Sequence, residues 1–269
     1  MLASSGYASQ ITLLVLVSVI VYSFMYSTST FLTSPPFPSP IVECLQVDSE
    51  CPSIPIPQTH AGHEWITYSD ILAQSAIDFN KDNPNVDVIF LGDSITEAFL
   101  GTSIGQQRNR GNVPEAFTEA IDPLLSAVYG VAGDQTQHLL WRMQNAEYLA
   151  TNVKVIAILI GTNNLSRGHS PEATFAGCLA VVEEARTQAP GARIVLNTIL
   201  TRDDKFQGAV EVVNTLILQM DIEGVTIADC AVVFGSGSDV NLALMPDGLH
   251  PNGPGTTAWF DLCLKEFII

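Results

Sequence analysis

From about residue 60 onward, short runs of consecutive apolar residues alternate with stretches whose apolar positions recur at helical spacing. Five runs read as strands: Val86 to Leu91, Ser126 to Tyr129, Val153 to Ile160, Arg193 to Leu200 and Val225 to Ala228. Most are too continuously apolar for a sheet that is wet on one face, so they predict buried parallel strands. Helical patterns lie at 63–77, Thr136 to Ala146, Pro171 to Gln188, Gln207 to Met220 and about Thr256 to Phe267. Ser170-Pro171-Glu172 is a well-formed helix start, with an N-cap hydroxyl, proline at the first helical position and an early acid. No internal repeat is visible. The alternation predicts an α/β chain: one three-layer α/β/α domain, residues 59–269, around a central parallel five-stranded sheet.

The first part of the chain follows different rules. No charged residue precedes Glu43, and residues 11–26 read ITLLVLVSVIVYSFMY. That run is long for the apolar region of a signal peptide and short for a membrane span of about 20 residues. No Lys or Arg precedes Lys81, so flanking charge assigns no orientation. Small residues at Ser27 and Ser29 suit cleavage by signal peptidase, whereas extension back to Tyr7 suits an uncleaved anchor. Residues 1–30 are therefore expected to be a signal peptide or signal anchor, and either sends the remainder into the secretory pathway, secreted or anchored to a membrane. Residues 31–58, which contain TSPPFPSP, read as an extended proline-rich linker. Within it Cys44 and Cys51 enclose a short loop that an oxidising compartment would close as a disulfide. Cys178, Cys230 and Cys263 lie in or beside apolar patterns and are expected to fill core space.

Composition narrows the partners. The 28 acidic and 11 basic residues give a net charge of −17, which repels phosphate backbones and argues against nucleic acid. A hydrophobic share of 47% and a charged share of 14% exclude an intrinsically disordered chain.

In open α/β sheets ligands bind outside the carboxyl ends of the strands, so the polar residues after each apolar run carry the functional information. The first strand ends in Gly92-Asp93-Ser94, a serine at a turn that opens a helix. The second ends in Gly130-Val131-Ala132-Gly133-Asp134, where the Gly133 N–H is a candidate donor. The third ends in Gly161-Thr162-Asn163-Asn164, whose side-chain amides could donate into the same crevice. After the fifth comes Asp247-Gly248-Leu249-His250-Pro251, a carboxylate three residues before an imidazole that it could orient. Each motif alone has an ordinary reading as a turn, a helix cap or a surface histidine. Asn164-Leu165-Ser166 is a glycosylation triplet, but it sits inside one of these motifs.

Taken together, in this order and at these strand ends, the motifs resemble the SGNH hydrolases, the GDSL-type esterase and lipase superfamily, over about residues 60 to 267. GVAGDQTQHLLWRM at 130–143, the GTNN turn and HEW before the first strand are most similar to platelet-activating-factor acetylhydrolase catalytic subunits and related bacterial esterases. The nucleophile motif reads GDSIT where the name-giving sequence has leucine after serine, a change of apolar neighbour only. The resemblance implies a flavodoxin-like sheet and a triad of Ser94, Asp247 and His250. It also implies an oxyanion hole of Ser94 N–H, Gly133 N–H and the Asn163 side chain, with no cofactor or metal. The implied activity is hydrolysis of short-chain acyl esters, such as acetyl esters, of a lipid, glycan or small alcohol through an acyl-enzyme. Three other readings stay open: acyl transfer through the same triad, a non-catalytic glycan-binding or interaction module, and a metal site built from His60, His63, Glu64 and Asp93.

Overall fold

The structure, a computed structural model, describes residues 51–269 apart from 60, 147, 150, 151, 204, 237 and 238. The proposed signal or anchor segment, most of the linker, Cys44 and His60 lie outside the described residues. Among the described residues no helix is long and apolar enough to cross a membrane.

Five parallel strands form the central sheet: β1 (Asn85–Gly92), β2 (Ser126–Gly130), β3 (Asn152–Leu159), β4 (Arg193–Asn197) and β5 (Val225–Ala228). Their spatial order is β2-β1-β3-β4-β5. Helices fill both faces, in chain order α1 (Gly62–Asp82), α2 (Ser94–Glu97), α3 (Val113–Ile121), α4 (Thr136–Asn145), α5 (Thr162–Ser166), α6 (Pro171–Gln188), α7 (Gln207–Leu218) and α8 (Gly253–Trp259). After α8 the chain continues through a π turn at Phe260–Leu264 and a last helical turn at Lys265–Ile268.

The strands are apolar throughout because each face meets its own core. On β1, Ile89 and Leu91 join a cluster with Trp65, Leu72, Leu139, Val181 and Val213. Val88 and Phe90 face the other way, into a cluster with Phe99, Phe117, Phe234, Trp259 and Phe260. A polar residue at either set of positions would be desolvated without a partner, which is why hydrophobic/polar alternation is missing from the sequence.

All five expected strands form, and β4 is three residues shorter at its carboxyl end. There the Asn214 side chain from α7 donates to Ile199 O and accepts from Ile199 N, each at 2.8 Å, so both backbone groups leave the ladder for a side chain. Helix α1 runs five residues beyond its expected end. The expectation for two of the cysteines needs correction: Cys230 and Cys263 do not merely fill space but are joined by a disulfide, with Cα atoms 5.6 Å apart. Cys230 follows β5 and Cys263 lies on the closing helix; both turn toward the same core, a proximity that 33 residues of separation conceal. Cys178 is buried with a free thiol, as core filling requires. The glycosylation triplet is closed to modification, since Asn164 is fully buried and its amide bonds Thr136 and Gln137.

Candidate active site

The strand register puts three loops at one level. Gly92 pairs with Gly130 on one side and with Leu159 on the other, so the turns leaving β1, β2 and β3 start side by side. The sheet order reverses at β1, the switch point where open α/β sheets bind ligands. Ser94 is the first residue of α2; Asp93 caps that helix, its Oδ1 accepting from Ile95 N at 3.0 Å. The Ser94 N–H thus belongs to the first amides of a helix, which have no partner within it. Gly130 must be glycine because a Cβ there would collide with the backbone of Asp93 and Glu97. Gly133 has φ +83°, a left-handed conformation that favours glycine.

Asn163 joins the other two donors. Its Nδ2 donates to Asp134 O at 2.9 Å, next to Gly133, and lies 3.3 Å from Asp93 Oδ2, next to Ser94. Both amide hydrogens therefore have acceptors in the resting structure, and the longer contact, to Asp93, is the one an incoming acceptor can displace. Asp93 is fully buried, which pushes its pKa up to about 7.

The base arrives from the far end of the sheet. β5 lies three strand spacings from β1, about 14 Å, and the loop after it must cross that distance. Its path is fixed at several points: Asp203 N donates to Gly248 O at 2.7 Å above the end of β4, Met245 is buried, and Asn252 caps α8 through Gly255 N. Gly253 N then donates to Gly111 O at 2.7 Å, and α8 packs on α3, the helix between β1 and β2. The loop is thereby drawn back over β1. His250 Nε2 lies 2.9 Å from Ser94 Oγ, and His250 Nδ1 lies 2.8 Å from Asp247 Oδ2.

Asp247 Oδ1 accepts from the backbone amides of His250, at 2.7 Å, and Leu249, at 3.1 Å, so the Asp-x-x-His spacing makes a closed loop around the carboxylate. Burial works against the charge of Asp247, but these donors and the imidazole outweigh it and hold its pKa below the usual carboxylate range. With the carboxylate on Nδ1, that nitrogen carries the proton and Nε2 is left to accept from the serine. Burial, followed by the nearby Arg110 guanidinium, depresses the imidazole pKa below its ordinary value. A hydroxyl, a neutral base, an orienting carboxylate and two main-chain donors beside an amide can carry nucleophilic attack on a carbonyl and hold the oxyanion that results.

Of the five residues singled out in the sequence, Ser94, His250 and Asp247 are in hydrogen-bonding contact, and Asn163 lies between Asp93 and Asp134, the chain neighbours of Ser94 and Gly133. Of the His60, His63, Glu64 and Asp93 grouping, the described members stay apart: His63 and Glu64 are exposed on the first turn of α1 and the Asp93 carboxylate is turned inward onto Ile95 N and Asn163, while His60 lies outside the described residues. Among the described residues no group of three or more His, Cys, Asp or Glu side chains is placed to hold a metal ion.

Two supports escaped the sequence reading. Glu97 is fully buried, its Oε2 accepting from Ala132 N at 2.7 Å and its Oε1 from Thr102 Oγ1 at 2.8 Å and Gly105 N at 2.9 Å. It pins the loop that carries Gly133 to the helix that carries Ser94. Behind that loop Asp134 and Arg142 form a fully buried ion pair at 2.7 Å, and Trp65 Nε1 donates to the other carboxylate oxygen at 2.6 Å. The HEW tryptophan thus reaches the back of the site. Glu97 stands three residues after the serine and has no apolar periodicity of its own, so only its presence in an otherwise apolar stretch, ITEAFL, signals a buried acid.

Comparison with known proteins agrees with this geometry. The profile of the GDSL-like lipase/acylhydrolase family matches residues 90–258, which include all five residues. Platelet-activating factor acetylhydrolase IB subunit alpha1 of Bos taurus is 32% identical over 116 residues, 43% of this chain and 44% of the relative. Subunit alpha2 of Homo sapiens is 34% identical over 119 residues, 44% of this chain and 46% of the relative. The match thus spans less than half the length of these curated relatives. Among solved structures, a GDSL-like lipase from Bacteroides thetaiotaomicron superposes with a TM-score of 0.58 at 17% identity, covering 75% of this chain and 98% of that one. A protein from Streptococcus pneumonia superposes with a TM-score of 0.59 at 20% identity, covering 76% and 94%. Matched over more than half its length, with this sheet, the chain belongs to the GDSL-like lipase/acylhydrolase family.

Proposed function

We propose that the chain is a serine esterase that hydrolyses short-chain acyl esters through an acyl-enzyme, with Ser94 as nucleophile, His250 as general base and acid, and Asp247 as its orienting partner. The observation that carries this reading is the continuous hydrogen-bonded line Asp247 Oδ2–His250–Ser94 Oγ, with links of 2.8 and 2.9 Å. His250 takes the serine proton as Oγ attacks the ester carbonyl, Asp247 stabilises the imidazolium, and the oxyanion sits among Ser94 N–H, Gly133 N–H and Asn163 Nδ2. The same imidazolium then protonates the departing alcohol, and a water activated by His250 releases the acid. Family membership supports the acylhydrolase class, and the acetylhydrolase names of the similar subunits favour a small acyl group. The disulfide between Cys230 and Cys263 supports an oxidising compartment, in keeping with a secreted or membrane-anchored protein carried by its N-terminal segment.

The direct test is a panel of p-nitrophenyl esters of rising chain length, with acetylated polysaccharides alongside. Turnover is expected to be highest for acetate; no turnover of any of them would remove the proposal. Asn163→Ala is expected to lower kcat by about 100- to 1,000-fold, as loss of one oxyanion donor does elsewhere, with the far-ultraviolet spectrum unchanged. A kcat within threefold of the parent, by contrast, would take Asn163 out of the oxyanion hole.

The pH profile follows from the depressed imidazole. The base works only when neutral, and its pKa lies below the ordinary value, so protonation silences it only at lower pH. The acidic limb of kcat/KM is therefore expected on the acid side of about 6.5, the unperturbed imidazole value. Rates for p-nitrophenyl acetate across pH 4 to 9 would show it, and a limb centred above 7 contradicts the assignment.

A further inference from the structure

Residues 51–58 form no helix or strand, yet they are fastened to the start of α4, the helix that follows the Gly133 loop. Pro52 O accepts from Thr136 Oγ1 at 2.9 Å, and Ile56 N donates to Gln137 O at 3.3 Å. A side chain at Gly177 on α6 would strike Pro52 O and Thr136, so three segments close on one another here. This anchoring carries Gln58 to the active site. Gln58 is only 4% exposed, and its Nε2 lies 3.3 Å from the point where a Cβ on Gly133 would stand. Among the described residues, Gly133 and its chain neighbours aside, no other heavy atom comes within 4 Å of that point, so the amide borders otherwise open space.

Two donors at this space lack an acceptor. Neither atom of the Gln58 amide has a hydrogen-bond partner among the described residues, and neither is sealed from the crevice as the orphaned Oε1 of Gln135 is. The Gly133 N–H is in the same position: its neighbours are engaged, Ala132 N with Glu97 and Asp134 N with Val131 O, while it finds no acceptor among the described residues. Burying a glutamine is costly unless its amide is satisfied, and here the protein supplies nothing to satisfy it. The two donors also lie within reach of one oxygen. A backbone nitrogen stands about 2.5 Å from the Cβ of its own residue, so Gly133 N and Gln58 Nε2 are at most about 5.8 Å apart. A single oxygen accepting from both at about 2.9 Å spans that distance. No protein partner fixes the amide, so an oxygen placed there draws its NH2 group and not its carbonyl.

We infer that Gln58 is a fourth oxyanion donor: its Nε2–H and the Gly133 N–H bind one and the same oxygen of the ester, the one that becomes negative when Ser94 attacks. The inference rests on the serine-esterase reading and adds to it a catalytic residue from the segment that precedes α1. The ester carbonyl takes little from such a donor before attack and much more afterwards, when its oxygen is charged. The gain therefore falls on kcat and not on KM.

The test is Gln58→Met in the full chain, which keeps the length of the side chain and removes the donor. With p-nitrophenyl acetate, kcat is expected to fall by about 10- to 100-fold, the worth of a hydrogen bond to a charged group. KM is expected to stay within threefold of the parent, and the melting temperature to be unchanged or higher. A purely structural side chain would lose stability as well, whereas this amide has no protein partner to lose. Gln58→Glu gives a second readout: its carboxylate repels the oxyanion at pH 8 and, once protonated, donates again. The ratio of variant to parent kcat is therefore expected to rise as pH falls from 8 toward 5. A Gln58→Met kcat within threefold of the parent, a loss confined to KM, or a Gln58→Glu ratio that stays flat overturns the inference and leaves the esterase reading standing. Failure of the parent to hydrolyse the ester takes down both. Should neither variant fold, the parent decides. When a phosphonate labels Ser94 and puts its phosphoryl oxygen in the hole, the Gln58 side-chain amide proton is expected to move downfield in the nuclear magnetic resonance spectrum, and an unmoved resonance refutes the contact.

Discussion

Replacing Ser94 by alanine is expected to lower kcat/KM for p-nitrophenyl acetate by about 10⁴- to 10⁶-fold, the range seen when a triad member is removed. The change deletes one oxygen whose contact in the resting structure is His250 Nε2 at 2.9 Å. Ser94 is half-buried, and the variant keeps its backbone N–H, the group proposed to hold the oxyanion. Thermal stability should therefore stay within about 0.5 kcal/mol of the parent, the usual range for a substitution that makes no cavity and strands no charge. Folding and turnover separate cleanly in this variant. Residual hydrolysis above that of water is expected, since the donors at Gly133 and Asn163 still polarise a bound ester. A phosphonate probe that labels the parent should leave the variant unmarked. Parent-like turnover by a purified variant with an intact fold would mean that the nucleophile is elsewhere, and the triad reading would have to be given up.

The sequence disclosed the residues of the proposed site more fully than those that hold them. Ser94, Gly133, Asn163, Asp247 and His250 were legible because each follows an apolar run or sits in a short motif whose spacing is local. The pairing of Gly92 with Gly130 and Leu159 then converts sequence position into spatial level, with little left to tertiary chance. Helix α3 was legible and overlooked: proline stands at its start, and Val113, Ala116, Phe117, Ala120 and Ile121 recur at helical spacing. Other features had no local trace. The Cys230–Cys263 disulfide depends on the closing helix returning to the end of β5, and the β4 boundary depends on the side chain of Asn214 from the next helix. Arg110 reaches Asp247 across 137 positions, and Trp65 reaches Asp134 across 69. At those distances a charge or an indole reads as surface or core until the fold decides. Glu97 is the instructive case. A buried acid among apolar neighbours contradicts local hydrophobic logic, and it is stable only because three donors from two other segments converge on it.

Arg142→Met should produce the largest loss of stability of any single change considered. Arg142 and Asp134 have no exposed side-chain surface, and their 2.7 Å contact sits beneath the loop that carries Gly133. Nη1 and Nη2 of Arg142 also donate to Tyr129 O, and Nη2 to Gly92 O, all at 3.2 Å, tying the last residues of β1 and β2 together. Methionine fills much of the volume and satisfies none of these acceptors. Breaking a buried pair by removing one partner costs about 3–5 kcal/mol, and at about 2–4 °C per kcal/mol for a domain of this size the melting temperature should fall by about 6–20 °C. The penalty depends on pH in a definite sense. Without its arginine the Asp134 carboxylate is buried and uncompensated, so its pKa in the folded variant rises above the unfolded value. Below the unfolded pKa the group is neutral in both states and adds no penalty. As pH climbs toward the folded pKa, the unfolded chain ionises first and the penalty grows to its full size. The gap in melting temperature between variant and parent should therefore narrow as pH falls from 8 toward 4. Adding Asp134→Asn removes the stranded charge while keeping an acceptor for Trp65 Nε1, and should recover part of the loss. A single variant melting within 2 °C of the parent, or a gap that widens toward acid, would show that this pair is not what secures the oxyanion loop, and Glu97 would be left as its principal tether.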